Sequence, residues 1–262
     1  KFTDFYNATR KASVDLSKYA DVYSLTKLYL INELGKNWDS GVSSLFFTYK
    51  QDENGDYKFY GSPVWDYDNS LGNAGGEQYE LSYIGVKDYT EYSGWWCKFK
   101  GKDKNSKSSS NVMNNISRNK YVTAAAPKIW FEDFMPAINH FSGEKYNPEV
   151  EKELYTSSEY YNLLKNSAEM NYQSGWLLKT GDWICDHSSM KKASFDLASK
   201  TYTVDSNKTR YANNFDGMYS YCSDWLTSRA AWLSSQMASS YTPSYKKGDV
   251  NLDGVVDVTD TK

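Results

Sequence analysis

Asn54-Gly55 sits between two short runs of strand-forming residues, Ser44–Lys50 and Tyr57–Tyr60. The dipeptide supplies the positive φ that a tight hairpin turn needs, so the two runs are predicted to fold back on each other as an antiparallel ribbon. A helix leads into it. Val22, Leu25, Leu28, Tyr29 and Leu30 recur near the helical period over Asp21–Leu34, Asp21 can cap the first turn, and Gly35 reads as the stop. Further along, the chain turns helical. The candidates are Pro127–His140 with proline in its first turn, Pro148–Tyr172 with some interruption, His187–Ala198, and Asn207–Met237. The last carries Phe215, Met218, Cys222, Trp225, Leu226, Trp232 and Leu233 as an apolar stripe. From Glu77 to Ala126 the periodicity is poor, and Lys100–Asn111 reads as a solvated, low-complexity loop. The expected fold is α+β, mainly α, with one small β-hairpin near the front.

At 262 residues the chain has room for one large domain or two small ones. Lys+Arg 30 against Asp+Glu 33 leaves a net charge of −3, a balance that argues against a general nucleic-acid binder. No apolar run reaches the ~20 residues of a membrane-spanning helix. No signal peptide precedes Lys1-Phe2-Thr3, and truncation at both ends is expected. Cys97, Cys185 and Cys222 lack the spacing of a zinc site and allow at most one internal disulfide. His140 and His187 read as helix-end residues rather than catalysts. The 24 Tyr and 9 Trp point to a large aromatic core; the sharper alternative is a sugar-stacking surface, for which Tyr92, Trp95 and Trp96 are candidates.

The last residues carry a separate signal. Asp249, Asn251, Asp253, Asp257 and Asp260 fall at positions 1, 3, 5, 9 and 12 of a loop with Gly254 at position 6. Val255 at position 7 offers its backbone carbonyl. Those are the positions from which an EF-hand loop surrounds Ca²⁺ with hard oxygen ligands, and the glycine permits the sharp bend. The words Gly248-Asp249-Val250-Asn251 and Asp253-Gly254 resemble the first calcium repeat of a type I dockerin. The resemblance implies a secreted, extracellular protein plugged into the cohesin module of a cellulosome scaffold. The implied division is a domain over 1–240, a linker over 241–247, and the truncated first calcium repeat of a dockerin over 248–262.

Two acidic words bracket the predicted ribbon: Asn32-Glu33-Leu34-Gly35-Lys36-Asn37-Trp38-Asp39-Ser40-Gly41 leaves the helix, and Pro63-Val64-Trp65-Asp66-Tyr67-Asp68 leaves the hairpin. A strand–turn–strand unit between them is expected to bring Asp39 and Asp66 to the same end of the ribbon. Carboxylates among apolar neighbours are costly unless paired, hydrogen-bonded or metal-bound. Paired carboxylates of this kind can hold Mg²⁺ beside phosphate oxygens.

The run Asp21–Asp39, the strand Phe46–Lys50, the word Val64–Asp68 followed by Leu71-Gly72-Asn73, and the late Trp225–Leu233 together resemble the CotH family of atypical protein kinases. The resemblance implies an atypical kinase-like carboxy-terminal lobe followed by the start of a dockerin. It implies Asp39 as the catalytic aspartate that takes the proton of a substrate serine or threonine. It implies Asp66 as the Mg²⁺ ligand beside ATP, and Asp68 as a second carboxylate near the metal. Ser44 stands five residues after Asp39, where ordinary kinases place a metal-binding asparagine. Neither G-x-G-x-x-G nor G-x-x-x-x-G-K occurs, and the chain is expected to be the carboxy-terminal part of such a domain. Arg229, on the stripe of the last helix, reads as a structural ion-pair partner. Two other classes compete with the kinase reading. One is a catalytically inactive binding module of the cellulosome that contacts plant cell-wall polysaccharide. The other is a glycoside hydrolase using Asp39 and Asp66, which would need its two carboxyl groups about 5–10 Å apart.

Overall fold

The computed structural model describes residues 1–37, 39, 40, 43–68, 70–72, 91–97, 111–143, 154–174, 189–212 and 214–243. The predicted calcium loop, Trp38, Cys185, His187 and the Lys100–Ser110 stretch lie outside the described residues. The fold is α+β, mainly helical, with small antiparallel sheets. It divides into two compact units, residues 1–126 with 175–186, and residues 127–174 with 187–262.

In the first unit, α1 (Phe2–Thr9) buries Phe5 and Ala8. The Phe5 ring stacks on Phe59 at 4.9 Å between centroids and meets Phe47 edge-on at 5.4 Å. The sequence pattern did not mark α1, because it shows only two turns and few apolar positions. α2 (Val22–Gly35) forms where the stripe predicts it, and the Asp21 carboxylate accepts the Ser24 backbone N–H at 2.7 Å as its N-cap. Leu25, Leu28, Tyr29, Leu30 and Leu34 are buried together with the polar Thr26, Asn32 and Glu33. A helix buried on so much of its surface serves as the spine of its unit.

The hairpin pairs β1 (Phe47–Gln51) with β2 (Tyr57–Gly61) in the register Phe47↔Gly61 to Gln51↔Tyr57. Its loop, Asp52–Asp56, has five residues and contains the Asn54-Gly55 pair. The Asp52 carboxylate organises that loop by accepting the N–H groups of Asn54 and Asp56, both at 2.9 Å, while Gly55 adopts φ +84°. β1 begins at Phe47 rather than Ser44 because Ser44 has φ +50°, incompatible with a strand. β2 is fastened to the approach to α2, with Phe59 N–H donating to Tyr19 O and Asp21 N–H to Phe59 O, both at 2.9 Å. Gly61 lies flat on α2. A Cβ there would come within 2.5 Å of the Ser24 carbonyl oxygen and 3.0 Å of the Leu28 Cβ. Gly61→Ala is therefore expected to lower stability by about 1–3 kcal/mol, the usual cost of overpacking, read as a lower thermal midpoint.

α3 (Val112–Arg118) is capped by Asn111, whose side chain accepts Asn114 N–H at 2.7 Å. The weak periodicity here has a physical cause: the buried face of α3 includes Asn114, Asn115 and Ser117 beside Met113 and Ile116. α4 (Lys120–Ile129) places Pro127 in its interior, not at the start predicted for a helix over 127–140. The chain passes from the first unit to the second inside this helix. The missing Pro127 N–H breaks the hydrogen-bond ladder, and a π-helical turn, Trp130–Phe134, follows within three residues.

In the second unit, α5 (Met135–Ser142) ends at Gly143 with φ +78°, and the His140 Nε2 lies 2.9 Å from the Leu154 carbonyl oxygen. α6 (Ser157–Ser174) forms within the interrupted helical stretch expected over 148–172, of which residues 148–153 lie outside the described residues. The helix predicted over 187–198 is overturned. Its described part forms β3 (Ser189–Met190) and β4 (Ala193–Asp196), and β4 pairs with β5 (Thr201–Val204). The β-branched and aromatic Thr201-Tyr202-Thr203-Val204 run provides the partner, and the Asp196 carboxylate closes the turn by accepting Ala198 N–H at 2.9 Å. β6 (Thr209–Arg210) then pairs with β3. The final helix, α7 (Phe215–Met237), starts eight residues later than predicted, at the Asn214 cap, because Thr209 and Arg210 are committed to that strand. Of the predicted stripe Trp225 and Leu233 are buried, joined by Tyr221, while Phe215, Met218, Cys222, Leu226 and Trp232 are half-buried, and the Trp130 Nε1 donates to Ser234 Oγ at 2.9 Å. Arg229 is fully buried on α7, its guanidinium 5.0 Å from the Trp232 ring centre. Burial pushes the Cys222 thiol up to about 11, so it stays protonated and unreactive at neutral pH.

Candidate metal centre

The end of α2 is the foundation of the site. The sequence suggests Gly35 as the helix stop, but Gly35 is the last helical residue, and Lys36 takes the left-handed cap conformation at φ +47°. Both positions have a packing reason. A Cβ on Gly35 would touch the Tyr67 ring at 3.3 Å, so its bareness lets the 62–68 segment lie against α2. The Lys36 side chain, 4% exposed, donates from Nζ to the carbonyl oxygens of Glu91 and Ser93 at 2.5 and 2.6 Å.

Glu33, one turn back and fully buried, holds the same strap by its peptide N–H groups. One carboxylate oxygen accepts Trp96 N–H and the other accepts Cys97 N–H at 2.8 Å. A buried carboxylate is tolerable when its oxygens are satisfied in this way. The Trp96 ring is buried, and its Nε1 donates to Asn37 O at 2.7 Å. Trp96 is therefore a core residue, which removes it from the expected sugar platform; Tyr92 and Trp95 beside it are half-buried. The physical reason is that its backbone N–H is spent on Glu33 of α2 and its indole N–H on the Asn37 carbonyl just beyond the helix.

A polar network then turns the chain toward Asp39. Asn32 Nδ2 donates to Leu28 O at 2.8 Å, leaving its Oδ1 to face Ser40 Oγ at 2.9 Å. Asn37 Oδ1 accepts the Asp39 N–H at 3.2 Å, and Ser40 N–H returns to Asn37 O at 3.1 Å. Asn111 Nδ2 donates to Ser40 O at 3.2 Å, tying the α3 cap to this turn.

The two predicted acids come together over one hydroxyl. Ser44 Oγ lies 3.1 Å from Asp39 Oδ2 and 3.0 Å from Asp66 Oδ2. The two carboxylate oxygens can therefore be no farther apart than those distances laid end to end. Ser44 has a single proton to share between two acceptors. Ser44 and Asp66 both adopt positive φ, +50° and +63°, a conformation that costs non-glycine residues about 1–3 kcal/mol each. On the Asp66 side the segment is anchored by Tyr67 against Gly35, by Ser70 Oγ donating to Tyr67 O at 2.5 Å, and by Leu71 N–H donating to Gly35 O at 2.7 Å. Burial holds the Tyr67 phenol well above its usual range, so the ring stays neutral and acts as packing.

Asp39 is half-buried, whereas Asp66 and Asp68 are exposed. The apolar neighbours expected to enclose Asp66 are also exposed. Among the described residues no three His, Cys, Asp or Glu side chains converge as metal ligands. The hard-oxygen set that does converge is two carboxylates and a hydroxyl, which suits Mg²⁺ or Ca²⁺, ions that take remaining ligands from water or phosphate. Of the residues at this site, sequence reasoning placed Asp39, Asp66 and Ser44. It missed the supporting Asn32, Glu33, Lys36 and Tyr67, whose only signal was their clustering within the two acidic words.

No family model matches the chain, and no curated protein and no solved structure matches it either.

Proposed function

We propose that the chain is a secreted, CotH-like phosphotransferase in which Asp66, with Asp68, holds Mg²⁺ with ATP while Asp39 takes the proton of a serine or threonine hydroxyl of a protein substrate. The observation that carries this reading is the convergence of the Asp39 and Asp66 carboxylates on the Ser44 hydroxyl. The oxygens fit the ion. Asp66, on the exposed side, is the metal-holding carboxylate, with Asp68 two residues on. Asp39, fixed by Asn37 and half-buried, is oriented to take the proton of an acceptor hydroxyl. When bound, the ion supplies the positive charge that offsets the phosphate oxygens. Ser44 keeps the two carboxylates in register. The Asp249–Asp260 loop, loaded with Ca²⁺, is the proposed attachment to a cohesin of a cellulosome scaffold, and it gives the protein its extracellular place of work.

Titration calorimetry tests the site. ATP is expected to bind only when Mg²⁺ or Mn²⁺ is present, and an absence of heat with both nucleotide and metal would sink the phosphotransferase reading. The attachment is tested by capture on immobilised cohesin. Capture should be lost when EGTA removes calcium, since the ligand side chains repel one another without the ion; capture that survives EGTA would refute the calcium-dependent tether.

A further inference from the structure

The hydroxyl that meets the two carboxylates belongs to the chain itself. Ser44 Oγ lies 3.1 Å from Asp39 Oδ2, on the residue proposed to take a proton. The same oxygen lies 3.0 Å from Asp66 Oδ2, on the residue proposed to hold the ion. The first of these is a distance at which a carboxylate can take the proton of an attacking hydroxyl. A hydroxyl arriving from another protein would have to displace Ser44 from that carboxylate oxygen. The serine is also set apart from its neighbour. Ser44 is half-buried with a left-handed φ of +50°, whereas Ser43 is exposed and holds Asp39 only by its backbone, N–H to O at 3.2 Å.

We propose that Ser44 is an acceptor of the phosphoryl group, so that the chain modifies itself at this residue and thereby closes its own site. The inference rests on the phosphotransferase reading and deepens it by naming one acceptor. In the step, Ser44 Oγ attacks the γ-phosphorus of ATP and its proton passes to Asp39. An Oγ–P bond forms, the bond from that phosphorus to the β,γ-bridging oxygen breaks, and ADP leaves with the bonding pair. The product is a phosphoserine of charge about −1.5 to −2 beside two carboxylates. It occupies the space of the next γ-phosphate and covers the approach to Asp39, so each chain reacts once.

The test incubates the protein with Mg²⁺ and radiolabelled ATP, counts phosphate per chain and locates it by peptide mass spectrometry. A single phosphate on Ser44 is expected, at a rate unchanged when the protein is diluted, because base and acceptor share one chain. The isolated phosphorylated chain should bind Mg-ATP at least roughly tenfold more weakly than the unmodified chain while keeping Mg-ADP. Ser44→Gly tolerates the positive φ, so it should fold and bind Mg-ATP yet take up no label. Label on Ser43 or elsewhere instead of Ser44, equal labelling of Ser44→Gly, or a rate that rises with protein concentration would each overturn the inference. Undiminished Mg-ATP binding by the phosphorylated chain would overturn the self-closing. Calorimetric heat with Mg-ATP but no label removes self-modification and leaves the phosphotransferase reading in place; no heat removes both.

Discussion

Asp66→Ala is expected to lower the affinity of the protein for Mn²⁺ by more than ~100-fold. Removing a residue that merely supports a metal ligand typically costs 10–100-fold, and Asp66 is proposed as a ligand itself. Its carboxylate is exposed and its known contact is the Ser44 hydroxyl, so the fold should tolerate the change. At a φ of +63° alanine is less well suited than aspartate, so a loss of no more than about 1 kcal/mol in stability is expected. Asp39→Asn is the complementary variant. The amide keeps an oxygen toward Ser44 but cannot take a proton, so metal affinity should fall less than tenfold while any phosphate transfer falls by several orders of magnitude. Mn²⁺ binding followed by calorimetry or electron spin resonance separates the two. Equal Mn²⁺ affinity in the wild type and Asp66→Ala would remove Asp66 from the metal site.

The second large effect concerns stability. Glu33→Ala deletes the carboxylate that accepts two buried backbone N–H groups, those of Trp96 and Cys97. Each unsatisfied buried donor costs about 1–3 kcal/mol, so the variant should lose about 2–6 kcal/mol in all. For a chain of this size that is a fall of roughly 10 °C in the thermal midpoint, readily seen by circular dichroism. Glu33→Gln should fall between the two, because its amide retains one accepting oxygen and turns a donor toward the other N–H. A Glu33→Ala melt within two degrees of the wild type would show that the strap contributes little to the fold.

The legible parts of this fold are the ones whose signals are local. Asp21 caps α2 as its position suggests, and the two runs around Asn54-Gly55 pair as a hairpin. The meeting of Asp39 with Asp66 followed from helix, ribbon and chain order alone, although the hydroxyl between them had been marked only for its offset from Asp39. The illegible parts share a different cause. α3 hides its buried face behind asparagines and a serine, so an apolar period does not reveal it. The predicted helix over 187–198 gave way to β4 because its fate depends on Thr201–Val204, and pairing with a later segment outweighs the local pattern. No local pattern sets Glu33 and Lys36 apart from ordinary charges on a helix surface. Their burial becomes visible only once the strap at 91–97 has been laid across them.

That strap is gripped at four main-chain groups, and the Trp96 indole adds a hold on Asn37 O. Lys36 takes hold of peptide oxygens at positions 91 and 93, and Glu33 of peptide hydrogens at 96 and 97. Evolution is consequently free to rewrite the side chains at 91 and 93 without loosening the grip. The change it cannot make is proline at 97, which would remove a hydrogen that Glu33 needs, and with it the brace behind the turn that presents Asp39.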